Sequence, residues 1–136
     1  MQPLVGEPMG GSKRLHVLLV EDNRDTVDTL RLLLQLNSHE VSVAYSGTEG
    51  VEMAKRVCPD VVLCDIGLPG MDGFAVAAAL RRIPETAGVR LIAVTGYGRE
   101  QDKRRAREAG FDDHLVKPVD PDLLLGQLSA VSGCRG

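Results

Sequence analysis

The chain has 136 residues, of which 43% are hydrophobic and 26% are charged, and its formal net charge is -3. This length fits one globular domain with its own core, and the composition is ordinary for a soluble protein. The weakly acidic balance offers no global attraction to nucleic acid or to anionic membranes. Protein partners or small ligands are therefore expected, with no direct nucleic-acid or membrane partner.

The cysteines and the hydropathy pattern indicate where the protein works. Cys58, Cys64 and Cys134 are odd in number and show no CxxC spacing, which argues against a disulfide framework or a zinc site. The sequence shows neither an apolar run of the roughly 20 residues that span a bilayer nor a signal-peptide pattern. These features predict a cytoplasmic protein with reduced thiols.

The two ends of the chain differ from its middle. Residues 1–13 are rich in Gly and Pro and lack an apolar period, which is typical of a flexible tail or a linker. Residues 132–136 have the same loose character. We therefore predict a single domain over residues 14–131, with a short tail on each side.

Between these ends, short apolar runs alternate with stretches of helical periodicity. Three runs without charge are typical of strands buried on both faces of a parallel sheet: Val17–Val20, Val61–Cys64 and Leu91–Val94. Two more mixed runs, Val41–Tyr45 and His114–Val116, are typical of edge strands. Five helices are predicted, at about Arg24–Leu36, from Ser46 onward, at Phe74–Arg82, at Gln101–Ala109 and from Asp120 onward. This alternation predicts an α/β fold, a three-layer sandwich.

Polar residues mark where two of these helices begin. Ser46 can cap the second helix while Glu49 reaches back to the backbone, which is the capping-box arrangement. Asp120 can cap the fifth helix, and Pro121 is favourable in its first turn. Both helix starts are therefore predicted from local chemistry alone.

Polar residues also follow the predicted strands. Glu21 and Asp22 come after the first strand, Asp65 after the third, Thr95 after the fourth and Lys117 after the fifth. In an open α/β sheet, ligands bind outside the carboxyl ends of the strands. Because parallel strands share that edge, we expect these five side chains on one rim.

The side chains on this rim predict phosphoryl chemistry. Three carboxylates repel each other and need a cation, a raised pKa or both, and oxygen ligands in this number suit Mg²⁺. Lys117 can hold one phosphoryl oxygen, and the Thr95 hydroxyl can donate a hydrogen bond to another. A carboxylate nucleophile beside a metal, a lysine and a hydroxyl can form an aspartyl phosphate. Asp65 is the predicted nucleophile.

Four fragments occur in order: VLLVEDN (Val17–Asn23), DVVLCDIGLPGMDG (Asp60–Gly73), LIAVTGYG (Leu91–Gly98) and HLVKPV (His114–Val119). On these fragments the chain, from about residue 14 to 131, closely resembles the receiver domains of bacterial two-component response regulators. The resemblance implies a flavodoxin-like (βα)5 fold with parallel sheet order 2-1-3-4-5. It also implies a phosphorylation-dependent signalling switch rather than an enzyme.

The resemblance implies the metal ligands and the phosphoacceptor. Asp65 would accept the phosphoryl group from a histidine kinase or a phosphotransfer protein. Asp22, Asp65 and the backbone carbonyl of Gly67 would bind Mg²⁺ directly, and Glu21 would help through water.

The resemblance also implies how phosphorylation of the site affects a downstream partner. Lys117 would contact the phosphoryl group, and Thr95 would move toward that group as the switch residue. The peptide bond between Lys117 and Pro118 is cis in the family. A downstream protein would bind the face formed by the fourth helix, the fifth strand and the fifth helix.

Two positions depart from the commonest family pattern. His114 stands where Tyr or Phe is usual, and Gly96 follows the switch threonine where Ala is frequent. His114 could be a pH-sensitive switch element or an ordinary polar residue of an edge strand. A histidine here also resembles the receivers often fused to hybrid histidine kinases, whereas an initial Met favours a stand-alone protein. A receiver segment that relays phosphate onward in a hybrid kinase is thus an alternative.

Other functional classes fit the sequence less well. A phosphatase of the haloacid dehalogenase type needs a second Asp two residues after its nucleophile, where this chain has Gly67. A flavodoxin or nucleotide-binding module needs a Gly- or Ser-rich loop at the first helix, where this chain has Glu21, Asp22 and Asn23. The basic run Lys103–Arg107 lacks interleaved aromatic residues and is predicted to be a solvated helix face.

Overall fold

The computed structural model describes residues 14–96 and 98–131, so Cys134 and both predicted tails lie outside the described residues. Strands and helices alternate in the order β1 (His16–Val20), α1 (Arg24–Leu36), β2 (Glu40–Ala44), α2 (Gly47–Val57), β3 (Val61–Asp65), α3 (Gly73–Arg82), β4 (Arg90–Thr95), α4 (Glu100–Ala109), β5 (Asp113–Val116) and α5 (Pro121–Ser129). In the described part, the helices are too short or too polar to cross a membrane.

The strands form one parallel sheet in the order β2-β1-β3-β4-β5. This order confirms the predicted flavodoxin-like fold and places the two mixed runs at the edges. The bounds differ by one residue at several ends: β2 is Glu40–Ala44 instead of Val41–Tyr45, and β5 begins at Asp113. The difference arises because backbone pairing, such as that of His16 with Glu40, continues through polar residues that the apolar pattern excludes.

Side chains of the sheet alternate between two cores, one on each face. On β1, Leu18 and Val20 face a core formed with α2, α3 and α4, whereas Val17 and Leu19 face a core formed with α1 and α5. All four are at most 1% exposed. This alternation confirms the three-layer sandwich, since a central strand covered on both faces must be apolar on both.

The helix starts follow the predicted chemistry with one correction. The Ser46 hydroxyl oxygen accepts from the Glu49 N–H at 3.1 Å, and Asp120 caps α5. The carboxylate of Glu49, however, accepts from the N–H of Tyr45 at 2.7 Å, one residue before the cap. The backbone turns sharply into α2 here, which brings the Tyr45 N–H within reach. The returning side chain thus ties β2 to α2.

Candidate functional site

Three carboxylates meet at the carboxyl edge of the sheet. Glu21 and Asp22 follow β1, and Asp65 is the last residue of β3. One carboxylate oxygen from each of the three lies within 4.8 Å of the others. Glu21 is 4% exposed and Asp65 is 8% exposed, whereas Asp22 is open to solvent. The strand ends therefore bring these residues together as the sequence predicts.

Lys117 links two of these carboxylates. Its ammonium lies 3.0 Å from Glu21 Oε1 and 3.3 Å from Asp65 Oδ2. The lysine follows β5, and its backbone N–H donates to the Thr95 carbonyl at 2.8 Å, which anchors the residue to the end of β4. The peptide bond from Lys117 to Pro118 is cis, the isomer that the resemblance implies.

Two backbone N–H groups bind the carboxylate oxygens that do not pair with Lys117. The Gly67 N–H donates to Asp65 Oδ1 at 2.9 Å, and the Asn23 N–H donates to Glu21 Oε2 at 3.1 Å. The sequence predicts a role for the carbonyl of Gly67 but none for its N–H, and it predicts no role for Asn23 in the site. Asn23 also caps α1 through its side chain, and an Asn directly before a helical period is the signal that could have identified it.

Burial and charge act together on the ionisation of this cluster. Burial raises the pKa of Glu21 above its ordinary value, and the charge of Asp65 adds to the increase against the opposing effects of Asn23 and Lys117. For Lys117, burial alone would lower the pKa, but the hydrogen bond to Glu21 and the charges of Asp65 and Glu21 outweigh it and raise the pKa. Lys117 is therefore firmly cationic, and the site favours uptake of a further positive charge.

The remaining predicted residues occupy different positions around this cluster. Thr95 is the last residue of β4 and is 4% exposed, so it lies on the same rim. His114 is half-buried on β5 and lines a groove with Lys103 and Arg107 of α4. Since Leu115 faces the α1 and α5 core, alternation along β5 directs His114 to the opposite face, toward α4. His114 thus belongs to the α4 side of the domain rather than to the carboxylate cluster.

The donor set fits a hard divalent cation. Carboxylate oxygens from Glu21, Asp22 and Asp65 converge, and the Lys117 ammonium pairs with two of these three residues. Oxygen ligands with open positions for water and phosphate suit Mg²⁺ better than metals that prefer nitrogen or sulfur. These residues can therefore hold a metal ion.

Residues 17–129 match the response regulator receiver domain. The chain belongs to this family. Its receiver domain therefore serves two-component signal transduction, and the match covers the described rim from Glu21 to Lys117.

Three known receivers illustrate the similarity. Protein PilH of Pseudomonas aeruginosa is 37% identical over 116 residues, which is 85% of this chain and 96% of PilH. The receiver domain of a P. aeruginosa sensor histidine kinase, solved with a magnesium ion coordinated in its active site cleft, has a TM-score of 0.81 at 28% identity and covers 88% of this chain and 98% of that domain. The receiver domain of Ssk1, crystallised with the histidine phosphotransfer protein Ypd1 of Saccharomyces cerevisiae, has a TM-score of 0.83 at 27% identity, over 90% of this chain and 91% of that one.

Proposed function

We propose that this receiver domain is a switch that accepts a phosphoryl group on Asp65 in the presence of Mg²⁺. The observation that carries the proposal is the position of Asp65, which is buried, accepts from the Gly67 N–H at 2.9 Å and lies 3.3 Å from the Lys117 ammonium. A carboxylate nucleophile held by a backbone donor beside a fixed cation suits phosphoryl transfer, in which positioning and charge stabilisation dominate.

The proposed reaction is a phosphoryl exchange between a histidine and Asp65. A carboxylate oxygen of Asp65 attacks the phosphorus of a phosphohistidine on a histidine kinase or phosphotransfer protein. The second ring nitrogen of the phosphohistidine carries a proton, so the ring is cationic before transfer. The new P–O bond forms as the P–N bond breaks, the electron pair of the P–N bond stays on the ring nitrogen, and the imidazole leaves as a neutral ring. Lys117 contacts a phosphoryl oxygen throughout and keeps its proton, because its pKa is raised. Attack of water on the acyl phosphate later releases inorganic phosphate and restores the carboxylate.

The acidic residues would hold the metal. Glu21, Asp22, Asp65 and the Gly67 carbonyl are the proposed ligands, with Glu21 acting through water. When bound, Mg²⁺ supplies positive charge that offsets the negative charge of the phosphoryl oxygens. The three carboxylates, for their part, repel one another less once a cation is shared among them. The magnesium ion coordinated in the P. aeruginosa receiver domain supports this assignment.

The proposed output is a change at Thr95 and on the neighbouring face of the domain. The Thr95 hydroxyl would move to a phosphoryl oxygen, and the face of α4, β5 and α5 would then change its arrangement. Two large apolar side chains are exposed on this face, Val116 at 41% and Leu123 at 60%, and they favour a protein as the downstream partner. His114 lies on the same face as a half-buried residue of β5.

The upstream partner is proposed from the chemistry of the phosphoryl donor. The Ssk1 receiver was crystallised with a histidine phosphotransfer protein, and this similarity supports such a protein or a histidine kinase as the donor in the cytoplasm. Both a stand-alone receiver and a receiver segment of a hybrid histidine kinase agree with this chemistry. An Asp-nucleophile phosphatase is disfavoured by Gly67, because a glycine offers no acid for a leaving group.

Mass spectrometry with a small phosphodonor tests the central claim. We expect incubation with acetyl phosphate and Mg²⁺ to add one phosphoryl group, and Asp65→Asn to abolish the addition. Asp28→Asn is the matched control, since that exposed carboxylate pairs with Arg31 on the surface of α1. A parent protein that stays unlabelled, or a label that survives Asp65→Asn, would refute the proposal.

A further inference from the structure

The segment between β3 and α3, residues 66–72, contributes a hydrogen-bond donor to the site. It follows Asp65 directly and carries Gly67, whose N–H donates to Asp65 Oδ1 at 2.9 Å. The orientation of the phosphoacceptor carboxylate therefore depends on where this segment lies. Two glycines make close contacts with this segment: Gly73 lies against its first residue, and Gly47 lies against Met71 near its end.

The first contact closes the segment on itself. The N–H of Gly73, the first residue of α3, donates to the Ile66 carbonyl at 3.3 Å. A Cβ at Gly73 would lie 2.5 Å from Ile66 Cα and 2.6 Å from the Asp65 carbonyl oxygen. Only a hydrogen atom fits between α3 and the Asp65–Ile66 peptide, so the start of α3 rests directly on the backbone of the phosphoacceptor.

The second contact comes from a different helix. Gly47, the first residue of α2, is buried, and a Cβ there would overlap the Met71 carbonyl oxygen and lie 3.0 Å from both Met71 Cβ and Val76 Cγ2. The neighbouring Thr48 hydroxyl donates to Met71 Sδ at 3.9 Å. The start of α2 thus presses on the segment at Met71, and a backbone oxygen cannot move aside as the tip of a flexible side chain can.

We infer that Gly47 is a positioning residue for the phosphoacceptor. By allowing α2 to lie against Met71, it holds the segment 66–72 in the path that places the Gly67 N–H on Asp65. A methyl group at position 47 must displace Met71, and because Gly73 is fixed against Ile66 just after Met71, the displacement passes back along the segment to Gly67. The inference about phosphoryl transfer rests on the proposed function, whereas the inference about the Gly67–Asp65 hydrogen bond does not.

Nuclear magnetic resonance of the metal-free protein tests the structural step directly. In Gly47→Ala we expect the amide signal of Gly67 to shift and its hydrogen exchange to accelerate, as a weakened hydrogen bond to a carboxylate requires. Gly88→Ala is the matched substitution, since nothing lies within 4 Å of a Cβ at Gly88. Ile92→Val removes packing from the core on the α1 and α5 side and controls for a general loss of stability. A folded Gly47→Ala protein with an unmoved Gly67 signal overturns the inference, as does an equal change in Ile92→Val.

Phosphorylation kinetics test the functional step separately. We expect Gly47→Ala to slow labelling by acetyl phosphate by up to roughly a hundredfold, the loss that a misplacement near 1 Å can cause, while both controls label at the parental rate. A parent that is never labelled refutes the proposed function and leaves the amide result standing. If Gly47→Ala does not fold, Met71→Gly tests the same contact from the other side, because it removes the Met71 Cβ that packs toward Gly47. Faster exchange at Gly67 supports the inference, and unchanged exchange overturns it.

Discussion

The Lys117 ammonium lies 3.0 Å from Glu21 Oε1, closer than its 3.3 Å distance to Asp65 Oδ2. Glu21 is the more buried of the two carboxylates, at 4% exposed against 8%. The lysine therefore balances a negative charge that is shielded from water as well as that of the phosphoacceptor. Its loss would leave two buried carboxylates without the ammonium that pairs with both.

Two substitutions of Lys117 distinguish the effect of its charge from the effect of its shape. We expect Lys117→Met to lower the free energy of unfolding by about 1–3 kcal/mol, because Glu21 and Asp65 lose a charged partner in a buried site. Labelling of Asp65 by acetyl phosphate should fall at least roughly tenfold, since the phosphoryl oxygens lose a fixed cation. Urea unfolding and mass spectrometry measure the two effects. Lys117→Arg should keep most of the stability, and equal stability of Lys117→Met and the parent would contradict the argument.

The contribution of Lys117 to stability also has a defined pH range. Its pKa is raised in the folded state, so the folded protein holds this proton more tightly than the unfolded chain. The stabilisation is therefore fully present below the ordinary value of 10.5 and is lost as the pH rises through the folded pKa. Urea unfolding between neutral and alkaline pH should show a steeper loss in the parent than in Lys117→Met. Parallel curves of stability against pH for the parent and Lys117→Met would contradict this contribution of Lys117.

Binding of Mg²⁺ should stabilise the folded protein through Asp22. An ion that binds only the folded state adds about 2.7 kcal/mol to the free energy of unfolding at 100 times its dissociation constant. We expect Asp22→Asn to remove most of this gain and, without Mg²⁺, to be at least as stable as the parent, because one of three crowded charges is gone. Asp25→Asn, an exposed carboxylate in the first turn of α1, is the control and should retain the gain. A full Mg²⁺ response in Asp22→Asn would exclude this residue as a ligand.

We expect the protein to lose stability in mild acid because of His39, which lies at the edge of the sheet opposite the carboxylate cluster. Its Nδ1 accepts from the Leu15 N–H at 3.1 Å, and burial lowers the pKa of the imidazole. The unfolded chain therefore takes up a proton more readily, so stability is fully present above the ordinary value of 6.5 and falls as the pH drops below it. His39→Asn keeps an acceptor without this titration and should be flatter in urea unfolding between neutral and mildly acidic pH. An identical pH profile in the variant would contradict the role of His39.

Thiol labelling should distinguish two cysteines. Cys64 is fully buried on β3, and burial raises its pKa well above the ordinary range, with the charges of Asp65 and Glu21 adding to the increase. Because the thiolate is the reactive form, the native protein should react with iodoacetamide at the half-buried Cys58 and leave Cys64 unmodified. Peptide mapping checks this, with urea-unfolded protein as the control in which both react. Native labelling of Cys64 at the rate of Cys58 would show that β3 opens readily.

Much of the fold follows from local patterns in the sequence. Charge-free runs such as Val61–Cys64 can be satisfied only where both faces of a strand are covered, and residues such as Asp120 and Pro121 mark a helix start by their own hydrogen-bonding properties. The exact ends were less predictable. Arg90 pairs with Val61 inside the sheet although it is charged, because the backbone ladder does not depend on side-chain polarity.

The candidate site was predictable to the extent that it lies at strand ends. Glu21, Asp65 and Lys117 are far apart in the chain, yet parallel pairing carries the carboxyl ends of β1, β3 and β5 to one edge. The hydrogen bond from Gly67 to Asp65 was not predictable in the same way. Its existence depends on the path of a segment without regular structure, and a local sequence pattern does not specify such a path.

The sequence by itself determined which side chains share the rim, because the alternation of strands and helices predicts parallel strands that end at one edge, and the resemblance to the family implies their order. Only the tertiary structure decided how they are held: Lys117 between Glu21 and Asp65, and Asp65 on the N–H of Gly67. It also showed α2 resting on Met71 through Gly47. The physical reason is that hydrogen bonds and close packing act over distances of a few ångströms between residues that are distant in sequence, so they exist only once the whole chain is folded.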